Sequence, residues 1–311
     1  PARTAMAETV SLLAPIVRGL ILVALLMLVG TAVSIRIVSS TAIPAGSEEE
    51  VLVSGWLRRL PGLFAWFLLS LWLVRGALQV LSFSDPGQPI DPELARFILS
   101  EGSWGLSWLS GAALAFILLA LGWSLRNSPS RLGLLVGVAS AGLLLAQAGM
   151  GHAADPFWEP APLGRAIHFV HLLGAGVWVG TLAILALAVF PSLPVSRHEL
   201  VARVLDRFST FARIGAGLIV ISGVIAALVY TNTISDLWSS TWGKLLLAKL
   251  AAVAVVALAG YRNWRVITPA VASGSEGARD ELRRAISLEL LFAAIVIAIT
   301  AVLGGTGTPR E

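Results

Sequence analysis

No cysteine occurs among the 311 residues, so disulfides, thiolate metal sites and thiol nucleophiles are excluded together. Charge is scarce too: 13% of residues are charged against 57% hydrophobic, and the mean hydropathy is +0.84. Soluble domains carry about a quarter charged residues and could not hide this much apolar surface. The apolar/polar alternation over about 10 residues that a membrane β-barrel requires is also missing. So are a phosphate-cradling Gly-rich loop, a metalloprotease HExxH and a convergent Ser/His/acid set, and no enzyme is expected.

What is present is a series of apolar runs long enough to cross a bilayer core of about 30 Å as helices, in which every backbone group is paired within its own segment. The pattern predicts an all-α, polytopic integral membrane protein with eight transmembrane helices, at about 12–35, 61–82, 104–125, 132–151, 164–190, 209–230, 242–262 and 285–304. The segment from Asp91 to Glu101 is too short and too charged to span and reads as an interfacial helix starting near Pro92. No soluble domain or repeat interrupts the chain, so 1–311 is read as a single transmembrane helical domain, with 270–281 a polar loop. The chain starts at Pro1, which points to a trimmed or processed start. The first apolar run spans by itself, so no cleavable signal is recognised.

Of the 22 basic residues 20 are arginine, and most stand at the edges of the apolar runs. This pattern suits membrane topology rather than nucleic-acid binding, despite a pI of 10.3. The segments after the first, third, fifth and seventh helices hold fourteen of them, from Arg36 to Arg284, and the opposite side holds Arg3, Arg96, Arg165, Lys244 and Arg310. Positive-inside bias then puts the odd loops in the cytoplasm and both termini outside. Trp158, Trp238 and Trp242 suit the outer boundary, where an indole is half wet.

Three of the four histidines lie close together in sequence. His152 ends the fourth helix on the outer side, and His168 and His171 open the fifth on that side, one turn apart on one helical face that continues to Trp178. Neutral imidazoles suit copper or zinc, and Met150, two residues before His152, adds a thioether that favours Cu(I). Gly149 and Gly151 would let the helix end loosen so that both side chains turn inward. The plainer alternative is three interfacial rings bonded to loop carbonyls. His198, in a charged loop, is expected to be solvated.

The remaining cations, Arg18, Arg75 and Lys249, fall within spans, where ionisable groups are costly and mark function or pairing. They either face one polar vestibule, or snorkel outward and pair with an outer carboxylate such as Asp85, Glu101, Asp155 or Asp236. Glu289, near the cytoplasmic end of the eighth helix, carries the same ambiguity. Gly174, Gly176 and Gly180 thin one side of the fifth helix for close packing, and Gly215 and Gly217 do the same in the sixth.

The run from His168 through His171 and Trp178 to Gly180 resembles the signature of the bacterial CopD copper-resistance family. So do Gly151-His152-Ala153-Ala154, Arg207-Phe208-Ser209, Thr241-Trp242-Gly243-Lys244-Leu245-Leu246, Lys249 and Asn263, and the likeness is strongest over 150–265. The resemblance implies an inner-membrane protein that moves or handles copper ions, Cu(I) or Cu(II), delivered from the periplasm by a small copper-binding β-domain protein of the CopC type. The chain departs from the pattern at His168, where the family usually carries Asp, and at Trp242, where Tyr is common. Met150, His152, His168 and His171 would form the entry site. Met27 is the only deep thioether, so a binding site is better supported than a full pathway. Two alternatives remain: a carrier of one haem b, with two axial His and Arg18, Arg75 or Lys249 at the propionates, and a docking or assembly subunit for the copper chaperone.

Overall fold

The computed structural model describes residues 2–41, 43, 46–84, 88–125, 128–151, 162–194 and 196–310, and side chains throughout these except at 2–7 and 129–130. Among the described residues eight helices are long and apolar enough to cross a membrane. They are α1 (Ala2–Ser40), α2 (Glu48–Phe83), α4 (Gly102–Leu125), α5 (Pro129–Ala148), α6 (Pro162–Ser192), α7 (His198–Tyr230), α9 (Thr241–Ala272) and α10 (Ala278–Leu303), with the short α3 (Pro92–Ser100) and α8 (Asp236–Ser239) between them. No strand occurs among the described residues. α3 begins as its sequence suggests, with Asp91 accepting from the Glu93 amide at 2.9 Å and Pro92 in the first turn.

α1 is the central post and packs against α2, α5, α6 and α10. Around it lies a core of Ile21, Leu25, Leu28, Leu68, Leu118, Leu143 and Leu144. α2 and α4 are clasped by two indoles: Trp72 Nε1 donates to the Trp108 carbonyl at 2.9 Å, and Trp108 Nε1 to the Trp72 carbonyl at 2.8 Å. Gly111 and Gly76 make room for these rings. Side chains such as Leu134, Val138, Leu228 and Leu258 point outward, the expected apolar coat of a membrane bundle.

The helices overrun their expected bounds mainly on one side, called the arginine face here; the opposite side is the histidine face. α2 begins at Glu48 rather than about 61, α7 at His198 rather than about 209, α9 runs to Ala272 rather than about 262, and α10 begins at Ala278 rather than about 285. Hydropathy locates only the part that needs lipid. These extensions carry charges outward and bury Val53, Leu57, Val201, Leu205, Ile267, Val271 and Leu282 in a second core. The expected loop at 270–281 shrinks to a turn with Gly274 and Gly277 at φ +68 and +73, a conformation that favours glycine. Arg279 stitches this end by donating to the carbonyls of Pro194 at 2.6 Å, Leu193 at 2.6 Å and Phe190 at 3.1 Å. Arg197 pairs with Glu49 at 2.8 Å.

The glycines of α6 do thin the helix, but toward two neighbours rather than one. Gly176 and Gly180 meet α1 at Val29 and at Leu26 and Gly30. Gly174 meets α7, where a Cβ on Gly174 or Gly215 would stand 2.7 Å from the other's carbonyl oxygen. Gly217 faces open space. α6 contains two π-helical segments, Gly176–Gly180 and Leu185–Val189, and α9 a third, Asn263–Ile267. Each bulge shifts the residues that follow around the helix axis.

Candidate functional site

A cavity of about 330 Å³ lies on the histidine side of the bundle, and Arg18, Arg75, Gln147, Met150, His168, His171, Ser222 and Lys249 all line it. They come from α1, α2, the end of α5 with the turn after it, α6, α7 and α9. α5 ends at Ala148, and the turn at Gly149 and Met150 brings the Met150 side chain, 6% exposed, into the packed interior. A smaller cavity of about 80 Å³ continues from His171 and Lys249 to Trp178, Val256 and Ala293. His152 and Trp158 lie outside the described residues. Among the described residues no group of three or more His, Asp or Glu is placed to hold a metal, so the three-histidine set reduces there to His168, His171 and the Met150 thioether.

His171 is the best-defined member. Its Nδ1 lies 3.0 Å from Ser222 Oγ. The Ser222 hydroxyl also reaches the Leu218 carbonyl and, at 3.3 Å, the Ile219 carbonyl; with its proton directed to either of them, Nδ1 is the donor to Ser222. The lone pair then sits on Nε2, the state in which an imidazole ligates a metal and an outer partner fixes its ring. His168 stands one turn earlier and is half-buried.

The three cations converge on this cavity. Arg75 donates to Gln147 Oε1 at 2.7 Å and to the Met150 carbonyl at 3.1 Å, and Arg18 donates to the Ala301 carbonyl at 2.6 Å. The outward carboxylate pairing expected of them is not found among the described residues. Glu101 pairs with Arg96 at 3.6 Å, and Asp236 accepts from the Asn232 and Thr233 amides at 2.9 and 2.8 Å. Asp85 and Asp155 lie outside the described residues. The cavity therefore joins two imidazoles and a thioether to a strongly positive wall.

Other expectations change. Trp242 is 5% exposed and packs edge-on against Tyr230 at 5.8 Å rather than lying half wet, whereas Trp238 is exposed. His198 is half-buried at the arginine face, beside Gly274. Glu289 does not snorkel: it is 2% exposed, and Asn263 Nδ2 donates to it. Sequence reasoning missed Gln147 and Ser222. Gln147 stands alone as a polar residue in the run before Met150, which was a usable signal; Ser222 is an ordinary helix serine until His171 is placed beside it.

Fold and site together define a polytopic helical membrane protein with a polar vestibule lined by His, Met and cationic side chains. Two family models match it: "Copper resistance protein D-like, N-terminal domain" over residues 6–156, and "Copper resistance protein D" over residues 202–303. The chain belongs to the copper resistance protein D family. It is 32% identical to the "Copper transport protein CutJ" of Bacillus subtilis (strain 168), over 52% of this chain and 30% of that protein, so it spans less than a third of that relative's length. It is 26% identical to the "Inner membrane protein YebZ" of Escherichia coli (strain K12), over 82% of this chain and 86% of that protein. It is 29% identical to "Copper resistance protein D" of Pseudomonas syringae pv. tomato, over 70% and 73%. No solved structure matches the chain. The eight spans and this kinship assign it to the inner membrane as a multi-pass protein.

Proposed function

We propose that this protein accepts copper ions, as its substrate, at the extracytoplasmic face of the inner membrane, through a site made by Met150, His168 and His171, with His152 as a further ligand. The observation that carries this reading is the His171–Ser222 pair, which accommodates the tautomer with its lone pair on Nε2, on a ring that borders the same cavity as His168 and Met150. Two imidazoles and a thioether suit Cu(I). The positive-inside bias supports the orientation, with both termini and the vestibule outside.

Arg18, Arg75 and Lys249 on the same cavity disfavour a bare hydrated cation. Copper in this reading arrives ligated, in neutral or anionic form, from a periplasmic protein of the CopC type that docks on this face. Among the described residues the smaller cavity beyond His171 offers no Met or second His, which supports copper acceptance better than a complete pore. The haem alternative is less supported: His168 and His171 project from one helix one turn apart and cannot take opposite faces of one iron.

The test is copper affinity in Ser222→Ala. Losing a partner that fixes a ligating imidazole lowers metal affinity by about 10–100-fold. Copper binding by the purified chain that is unchanged in Ser222→Ala would remove the support this pair gives.

A further inference from the structure

The most enclosed carboxyl among the described residues lies away from the vestibule. Glu289 of α10 is 2% exposed, and the Asn263 amide Nδ2 donates to its Oε1. Asn263 opens the π-helical segment of α9. Its own Oδ1 is buried and has no hydrogen-bond partner among the described residues. The second carboxyl oxygen, Oε2, is closed in on the Gly260 side: it lies 3.4 Å from where a Cβ on Gly260 would stand, and Trp178 Cζ2 lies 3.8 Å from the same point.

Among the described residues no positive charge is seen to meet this carboxyl. On α9, Lys249 lines the vestibule, Arg262 pairs with Glu281, and Arg265 stacks over Tyr261 and Trp264. On α1, Arg18 is held by the Ala301 carbonyl and Arg36 is exposed; on α7, Arg213 stacks over Trp264. Glu289's own helix carries Arg279 on the carbonyls at the end of α6, and Asp280, Glu281, Arg283 and Arg284 at least one turn away toward the arginine face. The α6 segments packed here bring Trp178 and Thr181 and no charge.

A carboxylate only accepts hydrogen bonds, so it leaves the Asn263 oxygen without a donor and buries an unpaired charge. A carboxylic acid removes both problems, because its O–H donates to Asn263 Oδ1 while the amide donates back. We infer that Glu289 and Asn263 form a proton-binding site on the arginine side of the bundle, the proton residing on the carboxyl oxygen that donates to Asn263 Oδ1. The site is distinct from the vestibule and stands one helical turn beyond the end of the smaller cavity, since Val256 and Ala293, which line that cavity, precede Gly260 and follow Glu289 by four residues each. It does not rest on the copper reading. Its proton, once released, leaves an anion where the bulge of α9 packs on α10, so the two protonation states favour different packing of these helices.

Infrared difference spectroscopy of the full chain in lipid nanodiscs tests this. The wild type at neutral pH should show the carbonyl stretch of a protonated, hydrogen-bonded carboxylic acid, with a D2O shift, and this band should vanish in Glu289→Gln. Glutamine can still donate to and accept from Asn263, so that variant should keep its fold, as thermal unfolding will report. Asn263→Ala should move the band toward the position of a free acid. A wild type without the band at neutral pH, or a band that survives Glu289→Gln or stays fixed in Asn263→Ala, overturns the assignment.

Discussion

Gly180→Ala isolates the contact on which the central post depends. A Cβ at Gly180 would stand 2.7 Å from the Leu26 carbonyl carbon, and one at Gly30 would stand 2.6 Å from the Thr181 nitrogen. Both opposing groups are backbone, which cannot rotate away, so α1 and α6 must separate or tilt. Overpacking of this kind costs about 1–3 kcal/mol, and the upper end applies where nothing yields. Alanine returns up to about 1 kcal/mol over glycine within a helix, leaving a net loss of about 2 kcal/mol. Gly217→Ala is the control: nothing lies within 4 Å of its Cβ position, so only the helical gain remains and the variant should match or exceed the wild type. Thermal unfolding in one detergent, followed by fluorescence of the 11 tryptophans, compares the three proteins. Equal midpoints for Gly180→Ala and wild type, or an equal drop for Gly217→Ala, would refute the close backbone contact.

Other outcomes follow from the same geometry. With no native cysteine, single-cysteine variants report topology cleanly: Ser235→Cys should react with an impermeant thiol reagent in intact cells and Ser275→Cys should resist, the reverse pattern inverting the orientation. Arg279→Ala strips three carbonyls at the end of α6 of their donor and should lower stability by about 1–3 kcal/mol, with Arg279→Lys recovering part of it; an unchanged unfolding midpoint would contradict the stitch. Asp236 is held below its ordinary value of 3.8 chiefly by the Thr233 backbone amide, then by the Thr233 hydroxyl and the Asn232 amide. Its contribution to this loop is complete above that value and is lost as pH falls below it. Hydrogen-exchange protection at Asn232 and Thr233 should therefore drop only in acid, while Asp236→Ala, which removes the acceptor, abolishes it at neutral pH; protection that survives both changes would dismiss the role of Asp236.

The crossings were legible because lipid imposes one rule, twenty or so apolar residues per span, and each span obeys it. Their ends were not, because beyond the lipid the rule changes to ordinary amphipathic packing: Val53, Leu57, Val201 and Leu205 sit among charges that drive hydropathy down, yet they build a second core. Gly174 and Gly180 were recognised as packing residues from composition, but spacing on an ideal helix could not say that they serve different neighbours, since the π-helical segment begins between them. In the vestibule, Met150, His168, His171 and the three cations were all visible as chemistry out of place in an apolar chain, and the cavity lined by all of them is where they meet. What orients them was hidden. Ser222 and Gln147 matter only through partners 51 and 72 residues away, on other helices.

The central claim is that His171 presents a metal-ligating nitrogen in the vestibule, and copper bound per protein tests it most directly. Wild type, His171→Ala and His198→Ala are loaded with copper under reducing conditions, freed of excess and measured by elemental analysis. The account predicts that His198→Ala retains the wild-type copper content and that His171→Ala loses most of it. The same content in all three, or equal losses in both variants, would contradict the account and return the vestibule histidines to a structural role.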